Sequence, residues 1–508
     1  MKDRDRNSWI SYGVIIFAAF ALAGVSLGIT SWSVRGSDDF RYLGSSLGVV
    51  AEFSHWEMRW PFHELQAVGL TVVGPNPNGI WVGRWLVWGC ILFCIGFLGH
   101  VAYGTTAAVC SIILLGFCPL LVVPISQGWI DSMEAGWISL LVALLILLLR
   151  NKNSGLNYWL AILFGLAFGF AMLTRITALL ILPTAAIVWW WMGAPKRLML
   201  MVVLGVFVVI AIDVVYLYNL IGDGLARWQH LGSLESAHGV SAYDRFAPSP
   251  FVRLTYGLPR LLLYDNPLVS AWPTWLLGCA SLVAIGFFKD RPSFQKKAGL
   301  LVLATLIGVL VLLILPKTDG SFAIRLLPRY FTFIIPLMGV AAVVSVLILA
   351  ERYPLAKPSA LIAMFGVCAF YTGIFLIPER LYSTPLREGM TQALHLAESA
   401  HPGLLVVTDS RTAKLLSGIG EIYGWTEVSW VDYAQWSNAS SEVDAFIMLD
   451  VPNGHNADAV RVREWLSERE SYSLTFSDDY RVCSKFQLLS CEPARIAVSA
   501  IRNTESGK

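Results

Sequence analysis

Residues 9–42 read WISYGVIIFAAFALAGVSLGITSWSVRGSDDFRY, and this stretch decides the fold. Its first part is an uncharged apolar run, long enough for the roughly 17–25 residues that a helix needs to cross a bilayer. Lys2, Arg4 and Arg6 stand before it, as cations do at the cytoplasmic end of a first membrane segment. A signal peptide shares this plan, and Ala21-Leu22-Ala23 offers small residues for cleavage. The run stays apolar past that point and further hydrophobic segments follow, so the reading is an uncleaved first helix.

The rest of the 508-residue chain agrees. It is 56% hydrophobic, above the roughly 45–50% of soluble domains, with a mean hydropathy of +0.62. A net charge of +2 gives no footprint for a polyanion such as nucleic acid. Tryptophans gather at segment ends (Trp32, Trp81, Trp85, Trp129, Trp189 to Trp191), where amphipathic rings settle at a membrane interface. About eleven apolar runs are long enough to span, centred near residues 21, 94, 115, 142, 165, 184, 208, 278, 307, 340 and 368. The fifth and sixth are parted only by Leu173-Thr174-Arg175, which leaves room for short or re-entrant segments. Cys90, Cys94, Cys110, Cys118, Cys279 and Cys368 lie inside apolar runs and read as small core residues.

With the N-terminus inside, Arg150/Lys152, Lys196/Arg197, Lys289 to Lys297 and Arg352/Lys357 all face the cytoplasm, as the positive-inside rule asks. The outer loops are basic too, and almost purely in arginine: Arg35, Arg41, Arg59, Arg84, Arg227, Arg245, Arg253, Arg260, Arg325 and Arg329, with Lys317. Guanidinium forks match phosphate and carboxylate oxygens, so these arginines serve an anionic ligand or pair with headgroups and nearby acids. The expected architecture is a polytopic α-helical membrane protein. Residues 1–377 form the multi-pass domain, with a long first outer loop at 33–83. Residues 378–508 form a small extracytoplasmic α/β domain. In that tail, strand-like runs at Leu404 to Thr408, Ala445 to Leu449 and Tyr472 to Phe476 alternate with helix-like stretches at Arg411 to Leu416 and Ala457 to Glu468. Cys483 and Cys491 in the tail make a disulfide only if it faces an oxidising compartment.

The chemistry-bearing residues cluster in the outer regions. In Gly36-Ser37-Asp38-Asp39-Phe40-Arg41-Tyr42, Ser37 is a good N-cap and two carboxylates occupy the first helical turn. Phe40, Leu43, Leu47 and Val50 continue an apolar stripe, so an amphipathic helix is expected to lie on the membrane, with Asp38, Arg41 and Tyr42 on one face. Next, residues 55–64 read HWEMRWPFHE, and their two histidines and two acids match no strong metal-ligand spacing. Asp131 and Glu134 form a capping-box pattern that would open the fourth span. An acid near the membrane face is costly unless solvated or used, so a chemical role competes with the cap.

Together these features resemble the GT-C glycosyltransferases, and more narrowly the bacterial relatives of protein O-mannosyltransferases and lipid A aminoarabinose transferases. Asp38-Asp39-x-Arg41-Tyr42 directly after the first span resembles their acidic-pair-x-Arg-Tyr signature. Arg59-Trp60-Pro61 resembles the basic and proline stretch before the second span. Asp131 stands at a second acid's place, Gly165 to Pro183 resembles the glycine-rich helix with Thr-Lys, and Arg329-Tyr330 with Pro336 resembles a late Arg-Tyr-Pro motif. The order of these motifs covers roughly residues 10–350. Asp39 in place of glutamate, Arg175 in place of lysine, Trp60 in place of proline and Met58 in place of an acid depart from the pattern, and loosen any link to lipid A or a metal.

The resemblance implies transfer of a sugar from a polyprenyl-phosphate donor to a hydroxyl of a lipid, glycan or protein, at the outer face of the cytoplasmic membrane and with inversion. It makes Asp38 the base, Asp39 a helper and Asp131 a group that orients acceptor or cation. Arg41, Arg59 and Arg329 would bind the donor phosphate, and Tyr42 and Tyr330 would line the substrate site. No organic cofactor is called for, and a divalent metal is left open. A transporter of a lipid-linked or anionic substrate and a non-catalytic envelope scaffold are the rival classes. Against the transporter, only Asp213 and Arg175 place charge near the middle of a span.

Overall fold

The computed structural model describes residues 2–30, 37–48, 57–150, 156–183, 185–186, 196–229, 249–257, 274, 278, 332–352, 356–377, 405–408, 429–432, 445–450, 472–482 and 494–503. The tail stretches expected to be helical, together with Cys483 and Cys491, lie outside these residues. So do Arg329, Tyr330 and nearly all of the runs centred near 278 and 307.

Five described helices are long and apolar enough to cross a membrane, and a bent pair makes a sixth. Helix α1 is Lys2–Ile29, and α2 is Ser37–Ser46. Helix α3 (Trp60–Val73) follows a 3₁₀ turn at Glu57–Arg59, and α4 is Pro77–Tyr103. Then come α5 (Thr105–Gly116), α6 (Pro119–Gln127), α7 (Asp131–Arg150), α8 (Leu156–Thr174) and α9 (Lys196–Ile221). Helices α10 (Ile334–Arg352) and α11 (Ala356–Tyr371) complete the described bundle.

Helix α1 belongs to the core: Ile15, Ala19, Ala23 and Leu27 recur every fourth residue, all fully or almost fully buried. Helix α7 is central, with 83% of its spanning window buried, whereas α9 has only 22% of its window buried. Met199, Val203, Phe207 and Val215 accordingly stand exposed on α9, where lipid would meet them. Helices α8 and α9 touch backbone to backbone. A Cβ on Gly165 would sit 2.1 Å from the Val202 carbonyl oxygen, and one on Gly205 would sit 2.5 Å from that of Ile162. Small residues at such contacts replace the hydrophobic drive that lipid removes.

Two expectations on shape need correction. The run near 115 is broken, because α5 and α6 meet at 64°. Pro119 lacks an N–H and forces Cys118 before it into an extended conformation at φ −67°, ψ 115°. The amphipathic helix expected through Val50 ends at Ser46, and Gly48 adopts the left-handed conformation at φ 74° just past its end. Its Tyr42 and Leu43 are buried, and Tyr42 joins the main core beside Phe62 of α3, so that face packs on protein.

In the tail, β1 (Leu405–Thr408), β2 (Ser429–Asp432), β3 (Ala445–Asp450), β4 (Tyr472–Val482) and β5 (Ala494–Asn503) form one sheet ordered β2-β1-β3-β5-β4. Strand β1 pairs parallel with β2 and β3, while β5 runs antiparallel to β3 and β4. Parallel neighbours need a long crossover between them, which suits the alternating pattern of the tail. The three expected strand runs fall in β1, β3 and β4. Strands β2 and β5 were not expected.

Candidate active site

One end of the bundle gathers α2, the Glu57–Arg59 turn, the α6–α7 corner, the end of α8 and the end of α9. Each brings a polar group into a largely apolar surround.

The first group is Tyr42 with Arg59. Arg59 Nη1 donates to the Tyr42 hydroxyl, and its guanidinium carbon lies 5.8 Å from the Tyr42 ring centre. Tyr42 is 3% exposed, whereas Arg59 is half-buried and keeps access to solvent. Below them, Ser46 Oγ donates to Gln66 Oε1 at 3.0 Å and lies 3.4 Å from His63 Nδ1. Gln66 Nε2 is buried with no hydrogen-bond partner among the described residues. Asp38, Asp39 and Arg41 fall on the first turn and a half of α2, and their side chains lie outside the described residues. His63 turns inward to Ser46 while Glu64 accepts from Tyr216 at 2.6 Å. Among the described residues no three histidines, cysteines or acids gather to hold a metal ion.

The second group is built across α7 and α8. Arg175 Nη1 donates to Asp131 Oδ1 at 2.7 Å and lies 3.2 Å from Glu134 Oε2. Thr177 donates to the other Glu134 oxygen, and Thr332 donates to the Asp131 carbonyl at 3.0 Å. The capping-box reading therefore gives way, since both carboxylates turn to Arg175. Asp131 and Glu134 sit three residues apart at the start of α7, on adjacent positions of one helix face, so one guanidinium reaches both. Among the described side chains expected to carry chemistry, Asp131 is the buried one whose charge is engaged.

The third group was missed in the sequence. Arg227 clasps Asp213 through Nε to Oδ2 at 2.7 Å and Nη2 to Oδ1 at 2.8 Å, with Asp213 only 1% exposed. Gly222, at φ 78°, ends α9 and turns the chain back so that Arg227 meets a carboxylate on the helix it has just left. Trp60 Nε1 also donates to Asp213 Oδ1 at 2.8 Å, while its ring stacks on Tyr216 at 4.6 Å. The only hint in sequence was an acid alone in an apolar helix, which must find a partner.

Arginine in the loops expected to face outward is thus partly structural. Arg84 is 2% exposed and donates to the Ser126 and Gln127 carbonyls, pinning the α6–α7 corner at Gly128. Arg227 is paired and Arg253 is buried. Of the described outer arginines expected to bind donor phosphate, Arg59 keeps a half-buried position at the mouth of this end.

The fold is shared with solved structures of ArnT and of an oligosaccharyltransferase. ArnT of Cupriavidus metallidurans, in its apo state, superposes with a TM-score of 0.60 at 16% identity, covering 98% of both chains. ArnT from the same organism bound to undecaprenyl phosphate gives 0.59 at 16% identity, over 97% of this chain and 98% of that one. The apo oligosaccharyltransferase of Archaeoglobus fulgidus gives 0.51 at 10% identity, over 86% of this chain and 69% of that one. No family model and no curated relative matches the sequence.

Proposed function

We propose that this protein transfers a sugar from a polyprenyl-phosphate carrier to a hydroxyl acceptor at the outer face of the cytoplasmic membrane, with inversion. The observation that carries the reading is Arg59 held by Tyr42 of α2, the helix whose first turn carries Asp38 and Asp39, in a fold similar to that of ArnT. That the superposable ArnT was solved with undecaprenyl phosphate supports the donor class.

The chemistry assigns a role to each residue type. Asp38 takes the proton from the acceptor hydroxyl as its oxygen attacks the anomeric carbon. The bond from that carbon to the phosphate oxygen breaks, and the lipid phosphate leaves with the electron pair. Arg41, Arg59 and Arg329 stabilise the charge that develops on it. Successive residues on a helix point about 100° apart, so Asp39 assists without sharing the same proton. Tyr42 and Tyr330 line the donor site, and Asp131, its charge balanced by Arg175, orients the acceptor or a cation. Residues 378–508 form an extracytoplasmic α/β domain.

Membranes carrying the wild type or Asp38→Asn, given radiolabelled polyprenyl-phosphate sugars and envelope extract, test the reading. Loss of label from one donor in the wild type alone, at equal expression, supports it. Equal behaviour of the two proteins reduces Asp38 to a helix residue. No turnover of any donor by the wild type removes the transferase reading.

A further inference from the structure

The Asp213–Arg227 pair is placed where stability alone does not require it. A buried ion pair gains little over apolar packing, because both ions must leave water. Its surroundings show what it holds. Arg227 Nη2 donates to the Met58 carbonyl, and Asp213 Oδ1 accepts from the Trp60 indole at 2.8 Å. Met58 and Trp60 are the two neighbours of Arg59. Arg227 Nη1 further reaches the Leu173 carbonyl at 3.3 Å, two residues before Arg175.

Arg59, at the N-terminal boundary of α3, makes no side-chain capping hydrogen bond, and Pro61 provides no backbone N–H. A 3₁₀ turn of three residues entering a proline has little to fix its direction. The clasp restrains the turn from both sides. It reaches across 153 residues from Asp213 to Trp60 and 169 from Arg227 to Met58.

We infer that Asp213 and Arg227 are positioning residues for Arg59: their buried ion pair grips the backbone and side chain on either side of it and aims its guanidinium at the donor phosphate. This rests on the donor-phosphate role given to Arg59 above. The pair touches no substrate and acts only through the turn. Its own charges cancel, so it adds no net charge beside the phosphate. Trp60 is the lever, stacked on Tyr216 and edge-on to Phe170 at 6.1 Å, so that movement of α9 carries the turn with it.

The test is a double-mutant cycle on the full-length protein in nanodiscs, with undecaprenyl phosphate as the probe and its Kd as the readout. Asp213→Asn and Trp60→Phe are each made in the native background and in Arg59→Ala. Trp60→Phe removes the indole N–H with its five-membered ring, keeps an aromatic ring at the position and leaves the ion pair whole, so it reports even where Asp213→Asn fails to fold. Each change is expected to weaken binding about tenfold when Arg59 is present and less than about twofold when it is absent. Equal losses in both backgrounds, or no loss in either, overturn the positioning role while leaving the donor reading intact. Unchanged affinity in Arg59→Ala itself, or no binding by the wild type, overturns the donor-phosphate reading and this inference with it.

Discussion

Arg175 lies 2.7 Å from Asp131 and joins the first residue of α7 to the turn that follows α8. The same guanidinium reaches Glu134 at 3.2 Å, so one cation balances two acids, all three nearly sealed from solvent. Taking away that cation leaves two carboxylates facing one another in an apolar surround.

Arg175→Gln is therefore expected to destabilise the protein by about 3–5 kcal/mol, the range for breaking a buried pair. Arg175→Lys keeps the charge but not the fork, and should fall between the two. Asp131→Asn should cost less than Arg175→Gln, because Glu134 still neutralises the arginine. Thermal unfolding in detergent, compared across the three variants, checks the order.

Gly165→Leu should separate α8 from α9, since even a Cβ there meets the Val202 backbone at 2.1 Å. Overpacking of this kind costs about 1–3 kcal/mol, and more where backbone must move. The separation would also carry Asp213 away from Trp60. Loss of thermal stability together with loss of donor binding is the expected result, and a stable variant with native binding would contradict the packing described.

Arg59→Ala should slow donor turnover by about 10²–10³, the usual effect of removing one preorganised contact to developing charge. Tyr42→Phe leaves the ring beneath the guanidinium and removes only the hydroxyl that accepts from it. A hydrogen bond to a charged group is worth about 1.5–3 kcal/mol, so turnover should drop at least about tenfold. Single-turnover rates on the labelled donor distinguish these losses from weaker expression.

Arg84→Met should loosen the α6–α7 corner. The aliphatic stem is replaced, but the Ser126 and Gln127 carbonyls lose their donor inside the bundle. Each buried carbonyl left without a partner costs about 1–3 kcal/mol. Faster amide exchange over residues 128–132, with α1 unaffected, is the expected signature.

Much of this architecture could be read from local pattern. The first span, the start of α2 at Ser37, α7 opening at Asp131 and three of the five strands follow from hydropathy period and end signals within a few residues of one another. The break between α5 and α6 was written in Pro119 and Pro124, yet the apolar run masked it, because hydropathy does not register a missing N–H.

The sequence by itself determined that this chain is a bundle of apolar helices with acids and arginines collected toward segment ends. Partition into lipid depends on each residue's own transfer energy, summed along one short stretch. Only the tertiary structure decided which charges are neutralised and which remain available. Asp131 finds Arg175 at a separation of 44 residues, and Trp60 finds Asp213 at 153. A buried charge must be paired wherever its partner lies in the chain, so the pairing belongs to packing and leaves no periodic trace. That is why the acids at Asp131 and Glu134 were legible as the start of α7, while their pairing with Arg175 and the clasp at Asp213 and Arg227 were not.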